Sequence, residues 1–196
     1  MPVEALERQL SFLREIDQLK GVIRQSPLLD GSRRENSAEH SWHVAMYALV
    51  LREYAAAPVD VARVIQMLLV HDIVEVDAGD HPLHVAAAGS NQAELEAKAA
   101  ERLFGMLPAE QHAELLALWR EFEAGESDDA KFAKALDRFQ PIVANIVNGG
   151  GTWTENNVSL ERARERYGPT IRRGAPELWS LCEEWVVELF LRLQGD

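Results

Sequence analysis

The sequence contains one cysteine, Cys182, among its 196 residues. A single thiol cannot form an internal disulfide, which excludes a disulfide-stapled fold and favours a reducing compartment such as the cytoplasm. We expect this thiol to be buried as a small apolar side chain. Long apolar runs are also lacking, because no segment reaches the roughly 18 residues that a membrane-spanning helix needs. The N-terminus is charged from Glu4 onward, unlike a signal peptide, so we expect a cytoplasmic protein without a membrane partner.

Basic residues are in the minority. The chain has 20 lysines and arginines against 32 aspartates and glutamates, a formal net charge of −12 and a pI near 5.0. Nucleic acids and anionic lipids require a basic face, so neither is an expected partner. A small phosphorylated ligand remains compatible with this charge, provided that a metal ion or a few arginines create a local positive site.

Strand patterns are lacking as well, and helical periodicity accounts for most of the chain. We predict an all-α fold of about seven or eight helices, with Asn36 and Glu39 at capping-box spacing before the second helix and Pro58 in the first turn of the third. With 47% hydrophobic residues, the chain is long enough to bury the core of a single domain spanning residues 1–196. The expected helices are 4–25, 37–55, 58–76, 91–106, 108–124, 128–148, 157–167 and 175–194.

The stretch HDIVEVDAGD, residues 71–80, places charge where the third helix should be apolar. The helix has one apolar stripe at helical spacing, at positions 61, 64, 65, 68 and 69. His71, Asp72 and Glu75 continue this stripe. A buried carboxylate costs several kcal/mol unless it is paired or binds a metal, so these side chains need a positive partner unless the helix end is solvated.

His40 lies near the start of the preceding helix. Antiparallel packing of the two helices would bring it beside His71 and Asp72. Two imidazoles and a carboxylate suit a divalent transition metal. A histidine among apolar neighbours is otherwise more often a hydrogen-bonded core residue.

A further ligand has to come from another helix. Asp137 lies in the predicted helix 128–148, in a row with Ala133 and Ala144, whose small side chains let another helix or a ligand approach. The alternative is a surface aspartate paired with Lys134 or Lys131, worth a few tenths of a kcal/mol. Spacing alone does not decide between the two.

Longer strings around these residues carry a family resemblance. RRENSAEHSWHVAMYAL contains His40, LLVHDIVEVDAGD contains the adjacent pair His71 and Asp72, and AKFAKALDRFQPI contains Asp137. These strings resemble the three motif segments of the HD-domain metal-dependent phosphohydrolases. GTWTENNV resembles a downstream stretch in the branch of small HD hydrolases that includes the bacterial 5′-deoxynucleotidases. The resemblance covers roughly residues 15–180.

The resemblance implies an HD-type helical bundle, with the core motifs in residues 36–148 and the C-terminal helices 157–194 packed on it. It also places Glu75 and Asp80 near the attacking water or the leaving oxygen. We assign to Glu75 the orientation or deprotonation of the attacking water, and to Asp80 the role of general acid. The reverse assignment stays open. One divalent cation (Mn, Co, Mg, Fe, Ni or Zn) is expected between His40, His71, Asp72 and Asp137. Phosphate oxygens need donors near this cation, and the candidates are Arg24, Arg33, Arg34 and Lys134.

The expected activity is removal of the phosphate from a nucleoside 5′-monophosphate or a similar small phosphate ester. In the bacterial deoxynucleotidases an Arg–Trp pair precedes a proline, whereas Gln25 and Ser26 precede Pro27 here, so deoxyribonucleotide specificity does not follow. The alternatives are a nucleoside triphosphate or cyclic-nucleotide phosphohydrolase, and a non-catalytic module that senses a ligand. The acids at positions 75 and 80 favour an enzyme, because a binding site does not require an acid beside the metal.

Three further features have alternatives. His81 and His84 follow Asp80 and are either ligands of a second ion or surface residues of a loop. Trp42 could supply an aromatic surface for the nucleotide, but we expect it in the core. The apolar stripe of residues 175–194 belongs either to the core or to the face of a homodimer, which small HD proteins often form.

Overall fold

Helices dominate the structure, as the sequence predicts. The computed structural model describes residues 2–81 and 91–195. Eight helices of ten residues or more lie in these ranges, with short 3₁₀ turns at Ile16–Gly21, Arg52–Tyr54 and His71–Val74. The α-helices are α1 (Pro2–Glu15), α2 (Ser37–Leu51), α3 (Val61–Val70), α4 (Glu75–Ala78), α5 (Gln92–Phe104), α6 (Ala109–Ala124), α7 (Asp128–Val147), α8 (Gly151–Glu155), α9 (Leu160–Gly174) and α10 (Pro176–Gly195).

One small sheet corrects the expectation that strands are absent. Ile23–Pro27 forms β1 and Arg34–Asn36 forms β2, and the two strands are antiparallel. The predicted first helix, 4–25, therefore ends at Glu15 and gives way to a 3₁₀ turn and a strand. The two strands have five and three residues, which is too few for an alternation of apolar and polar residues to be recognised in the sequence. This hairpin matters because it places Arg24 of β1 and Glu35 of β2 in the interior.

Two helix starts show how local chemistry sets the boundaries. The Asn36 side chain accepts the Glu39 backbone N–H at 2.9 Å, and the Glu39 carboxylate accepts the Asn36 backbone N–H at 3.1 Å, so the predicted capping box is confirmed. The third helix begins at Val61 rather than at Pro58, because the Asp60 side chain accepts two backbone N–H groups of the first turn.

The larger core lies between α2, α3, α7, α9 and α10. Most of the apolar stripe on α10 faces this core, including Trp179 and Val186, while Leu181 is 44% exposed. Cys182 is buried, as expected. A second apolar cluster joins α1, α5 and α6. In the described ranges, we find no helix with the length and apolar character needed to cross a membrane.

Trp42 does not belong to the core, so the prediction for this residue is wrong. It is 61% exposed on the outer face of α2, together with Met46, Leu49 and Val50. α2 is apolar on nearly every side, and the sequence pattern therefore could not show which of its aromatic residues faces outward.

Candidate metal centre

Three helices bring the four predicted ligands together. His40 lies in the first turn of α2, His71 and Asp72 directly follow α3, and Asp137 lies in the middle of α7. All four side chains are buried, and His40 is fully enclosed. The sequence predicted that antiparallel packing would bring the start of α2 beside the end of α3, and the structure confirms this contact.

The ligand atoms converge on one point. His40 Nε2 lies 3.0 Å from Asp137 Oδ1 and 4.0 Å from Asp72 Oδ2. His71 Nε2 lies 3.0 Å from Asp72 Oδ1 and 3.7 Å from Asp137 Oδ1. Ligands bound at about 2.1 Å from one cation are about 3.0–3.4 Å apart. The spacing therefore suits one ion shared by all four side chains.

The orientation of His71 also fits a cation. Its Nδ1 lies 2.8 Å from the Leu68 carbonyl oxygen and donates to it, so the Nε2 lone pair points into the cluster. This Nε2 is buried and has no hydrogen-bond partner, although Asp72 Oδ1 is near. A buried polar atom without a partner is costly, and a cation at the centre of the cluster would satisfy it.

The chain is similar to known proteins over most of its length. The model of the HD domain family matches residues 16–179. The chain belongs to the HD domain family. Among solved structures, the chain is similar to a protein of Magnetospirillum magnetotacticum MS-1, described as a predicted metal-dependent phosphohydrolase. That protein is 47% identical, with a TM-score of 0.91 over 98% of this chain and 96% of its own.

Several curated relatives carry the name 5′-deoxynucleotidase, among them proteins of Mus musculus and Erwinia tasmaniensis. The Mus musculus protein, 5′-deoxynucleotidase HDDC2, is 31% identical over 135 residues, which is 68% of this chain and 66% of its own length. The matched part thus spans just under two thirds of that relative. The protein of Erwinia tasmaniensis is 30% identical over 161 residues, 77% of this chain and 81% of its own.

In this HD domain, the ligand cluster opens into a cavity of about 190 Å³. One water takes up about 30 Å³ in the liquid, so a small anion and several waters have room there. Four other predicted site residues line this cavity, namely Arg24, Glu75, Asp80 and Lys134. His81 lines it too, whereas His84 lies outside the described residues.

Two predicted phosphate donors are absent from the residues that line this cavity. Arg33 pairs with the Glu39 carboxylate through both terminal nitrogens, at 2.8 and 2.6 Å. Arg34 Nη2 lies 2.6 Å from Glu155 Oε2 on α8. Because neither side chain lines the cavity, Arg33 and Arg34 do not belong to the proposed site.

The 3₁₀ turn at His71–Val74 shapes the acidic wall of the cavity. The predicted helix 58–76 ends at Val70, and the tighter winding that follows places side chains three residues apart above one another. Asp72 and Glu75 therefore face the same way. Both approach Arg24 Nη1, Asp72 Oδ2 at 3.0 Å and Glu75 Oε1 at 3.8 Å.

Glu75 is buried and Asp80 is partly buried, and neither belongs to the four predicted ligands. Burial, reinforced by Asp72, raises the pKa of Glu75 to about 8, and Ser37 Oγ donates a hydrogen bond to its Oε2. Asp80 follows Gly79, which has a φ of +74° that side chains other than glycine rarely adopt. Burial also raises the pKa of Asp80, against the opposing charge of Arg24.

Three polar residues of the site escaped the sequence prediction. Arg138 lines the cavity, with Nη1 3.5 Å from Asp137 Oδ2. Glu35 and Gln140 form a buried pair behind His40. His40 Nδ1 lies 3.2 Å from Gln140 Oε1, and Gln140 Nε2 donates to Glu35 Oε2 at 3.1 Å. Because the amide oxygen faces the ring, Nδ1 carries the proton and Nε2 presents its lone pair to the ligand cluster.

Replacing Gln140 with leucine should weaken cation binding about 10- to 100-fold, the usual cost of losing such a supporting hydrogen bond. The His40 ring would lose the acceptor that selects its tautomer. Isothermal titration with Mn²⁺ measures the affinity, and Gln66→Leu on the exposed face of α3 is the control. An unchanged affinity in folded Gln140→Leu protein would show that the amide does not orient the ring.

Cation affinity should rise with pH. Burial opposes a charge on His71, but Asp72 and Asp137 outweigh it and raise its pKa to about 9. At neutral pH a cation must therefore displace a proton from this ring, and the affinity should rise about tenfold per pH unit below pH 9. Without metal, the raised pKa of His71 also stabilises the folded state. This contribution is complete below pH 6.5 and is lost as the pH rises through about 9. Titrations at pH 6.5, 7.5 and 8.5 test the trend, and an affinity independent of pH would contradict it.

Proposed function

We propose that residues 1–196 form one HD domain that is a metal-dependent phosphomonoesterase, acting on a nucleoside 5′-monophosphate or a similar small phosphate ester. The observation that carries this proposal is the position of Glu75 and Asp80. Both acids share one cavity with His71, Asp72 and Asp137, and His40 Nε2 lies 3.0 Å from Asp137 Oδ1 directly behind it. A site that only binds a cation has no need of two further carboxylates in its cavity, whereas hydrolysis requires groups that move protons.

A divalent cation bound at these ligands supplies Lewis acidity, which polarises a phosphoryl oxygen and makes water a better nucleophile at neutral pH. Glu75 is fixed by the Ser37 hydroxyl through Oε2, and its Oε1 lies 3.8 Å from Arg24 Nη1. We assign to Glu75 the orientation and deprotonation of the attacking water. This role requires the ionised carboxylate, which a cation bound beside Asp72 would favour by lowering the pKa of about 8. Asp80 has a raised pKa because it is partly buried, which helps it to retain a proton. We assign to Asp80 the protonation of the leaving oxygen.

Phosphate binding requires positive charge, because most ionisable groups of the cavity are acidic. Arg24, Lys134 and Arg138 line the cavity and provide it. Lys134 lies over the Phe122 ring, with Nζ 4.6 Å from the ring centroid, so its amine is held at the cavity wall. Arginine additionally offers paired donors that match phosphate oxygens.

The substrate class rests on the relatives and on the aromatic lining. Both curated relatives described above are named 5′-deoxynucleotidases, which supports a nucleoside monophosphate. In the bacterial deoxynucleotidases a tryptophan precedes the proline. This chain has Ser26 at that position, and Ser26 is buried at the cavity. Trp119 and Tyr167 line the same cavity and supply aromatic surface from other helices.

A panel of phosphate esters tests this function. Deoxyribonucleoside and ribonucleoside 5′-monophosphates, p-nitrophenyl phosphate, a deoxynucleoside triphosphate and a cyclic nucleotide are each incubated with protein loaded with Mn²⁺, Co²⁺ or Mg²⁺. We expect phosphate release from monoesters that is lost in Asp72→Ala. Release of triphosphate, or opening of the cyclic ester alone, would point to the other hydrolase classes. No turnover of any ester would overturn the proposal.

We also propose that the protein acts in the cytoplasm as a homodimer. A single buried cysteine suits a reducing compartment. The exposed apolar residues Trp42, Met46, Leu49 and Val50 on α2 offer a face for a second copy, now that most of the α10 stripe belongs to the core. Sedimentation velocity of the purified protein measures the oligomeric state, and a monomer at micromolar concentration would exclude the dimer.

A further inference from the structure

Arg24 has an unusual place in this cavity. It lies on β1, and its side chain is only 11% exposed. Its Nη1 lies 3.0 Å from Asp72 Oδ2 and 3.8 Å from both Glu75 Oε1 and Asp80 Oδ1. One guanidinium nitrogen is therefore surrounded by three carboxylates that come from the end of α3, the start of α4 and the loop after it.

Three carboxylates around one point form an environment that hard divalent cations also prefer. Asp72 divides its oxygens between two positions, since Oδ1 lies beside His71 Nε2 in the ligand cluster and Oδ2 beside Arg24. A carboxylate shared in this way is typical of sites with two metal ions about 3.5–4 Å apart. Here the second position holds an arginine nitrogen.

The arginine is fixed in this position from its other side. Glu35 Oε1 on β2 lies 3.5 Å from Arg24 Nε, and Glu35 itself is 2% exposed. Burial alone would lower the pKa of Arg24, but Asp72, Asp80 and Glu75 outweigh it and raise the pKa further. A guanidinium group is always charged in proteins. The positive charge is thus permanent and held by carboxylates on both sides.

We propose that Arg24 replaces a second divalent cation, so that this HD domain binds one metal ion per chain. The inference rests on the proposed function, because Arg24 would then supply the second positive charge that faces the phosphate. It holds Asp72, Glu75 and Asp80 together in place of a second metal, and it prevents such an ion from reaching the three oxygens that face it.

The number of bound ions tests this role without any measurement of turnover. Equilibrium dialysis against Mn²⁺, with electron paramagnetic resonance of the bound ions, should give one uncoupled Mn²⁺ per wild-type chain. Arg24→Met should bind two, the second more weakly, with the spectrum of a coupled pair. Arg24→Lys should return the number to one, because the positive charge is restored. The double variant Arg24→Met with Glu75→Gln should also bind one, because the second position loses a ligand.

Lys134→Met is the matched control, since it removes a positive charge from the same cavity away from the three carboxylates, and it should bind one ion. Two ions in the wild type would overturn the proposal, and this measurement does not depend on the folding of any variant. One ion in folded Arg24→Met protein, verified by circular dichroism, would overturn it as well. If the wild type binds one ion and Arg24→Met two, but no ester is hydrolysed, the enzyme proposal alone fails.

Discussion

Replacing Asp137 with asparagine is expected to abolish the stabilisation that a divalent cation gives this protein. Asp137 Oδ1 lies within 3.0 Å of His40 Nε2 and 3.7 Å of His71 Nε2, so this one atom joins both imidazoles in the cluster. Loss of a supporting hydrogen bond already costs about 10- to 100-fold in cation affinity, and the loss of a charged ligand should cost at least about 100-fold.

Thermal unfolding with and without Mn²⁺ measures the effect. A cation at a hundred times its dissociation constant stabilises the folded state by about 2.7 kcal/mol. For a chain of this size that corresponds to a rise of about 5–10 °C in Tm. The wild type should show this rise, and Asp137→Asn should show almost none at the same concentration.

Asp128→Asn is the matched control for this experiment. Asp128 lies on the same helix, is exposed, and pairs with Lys131 at 2.9 Å. Its substitution should change Tm slightly and leave the response to Mn²⁺ intact. A full response in Asp137→Asn would mean that the fourth ligand is a different group, and the cluster would then have to be reassigned.

The sequence was informative about this cluster because local rules operate there. The apolar stripe of α3 runs directly into His71 and Asp72, which left either an inward orientation or a solvated helix end, and the resemblance to the HD motifs favoured the inward orientation. The capping box at Asn36 and Glu39 likewise depends on residues only three apart. Such features survive in the structure because no distant contact is needed to create them.

The remainder of the site depends on contacts that no spacing reveals. Gln140 is 105 residues from Glu35, yet the two side chains form one hydrogen-bonded pair. Arg24 was predicted at the end of a helix, and its position among three carboxylates follows only from the strand β1. Conversely, Arg33 was a reasonable phosphate donor by distance along the chain, but the nearby Glu39 holds its guanidinium group. Local pattern predicts which groups are buried, whereas pairing between distant groups requires the fold.

Replacing Asp80 with asparagine is expected to slow the hydrolysis of a nucleoside 5′-monophosphate about 10²- to 10⁴-fold in kcat, with little change in KM. The nucleoside leaves as an alkoxide unless an acid protonates it. p-Nitrophenyl phosphate releases a phenolate that needs no proton, so its hydrolysis by Asp80→Asn should be nearly unaffected. Steady-state kinetics on both substrates therefore measures general-acid catalysis separately from other roles of the carboxylate.

Glu75→Gln is expected to slow both substrates equally, because every ester requires the attacking water. Asp77→Asn is the control, since Asp77 pairs with Arg102 outside the residues lining the cavity, and its kcat should be unchanged. The metal content of each variant is measured alongside, so that a lost ion is not mistaken for a lost acid. If Glu75→Gln discriminates between the two leaving groups and Asp80→Asn does not, the roles of the two acids are exchanged. If both variants slow both substrates equally, neither carboxylate is the general acid, and the leaving oxygen must receive its proton from another group.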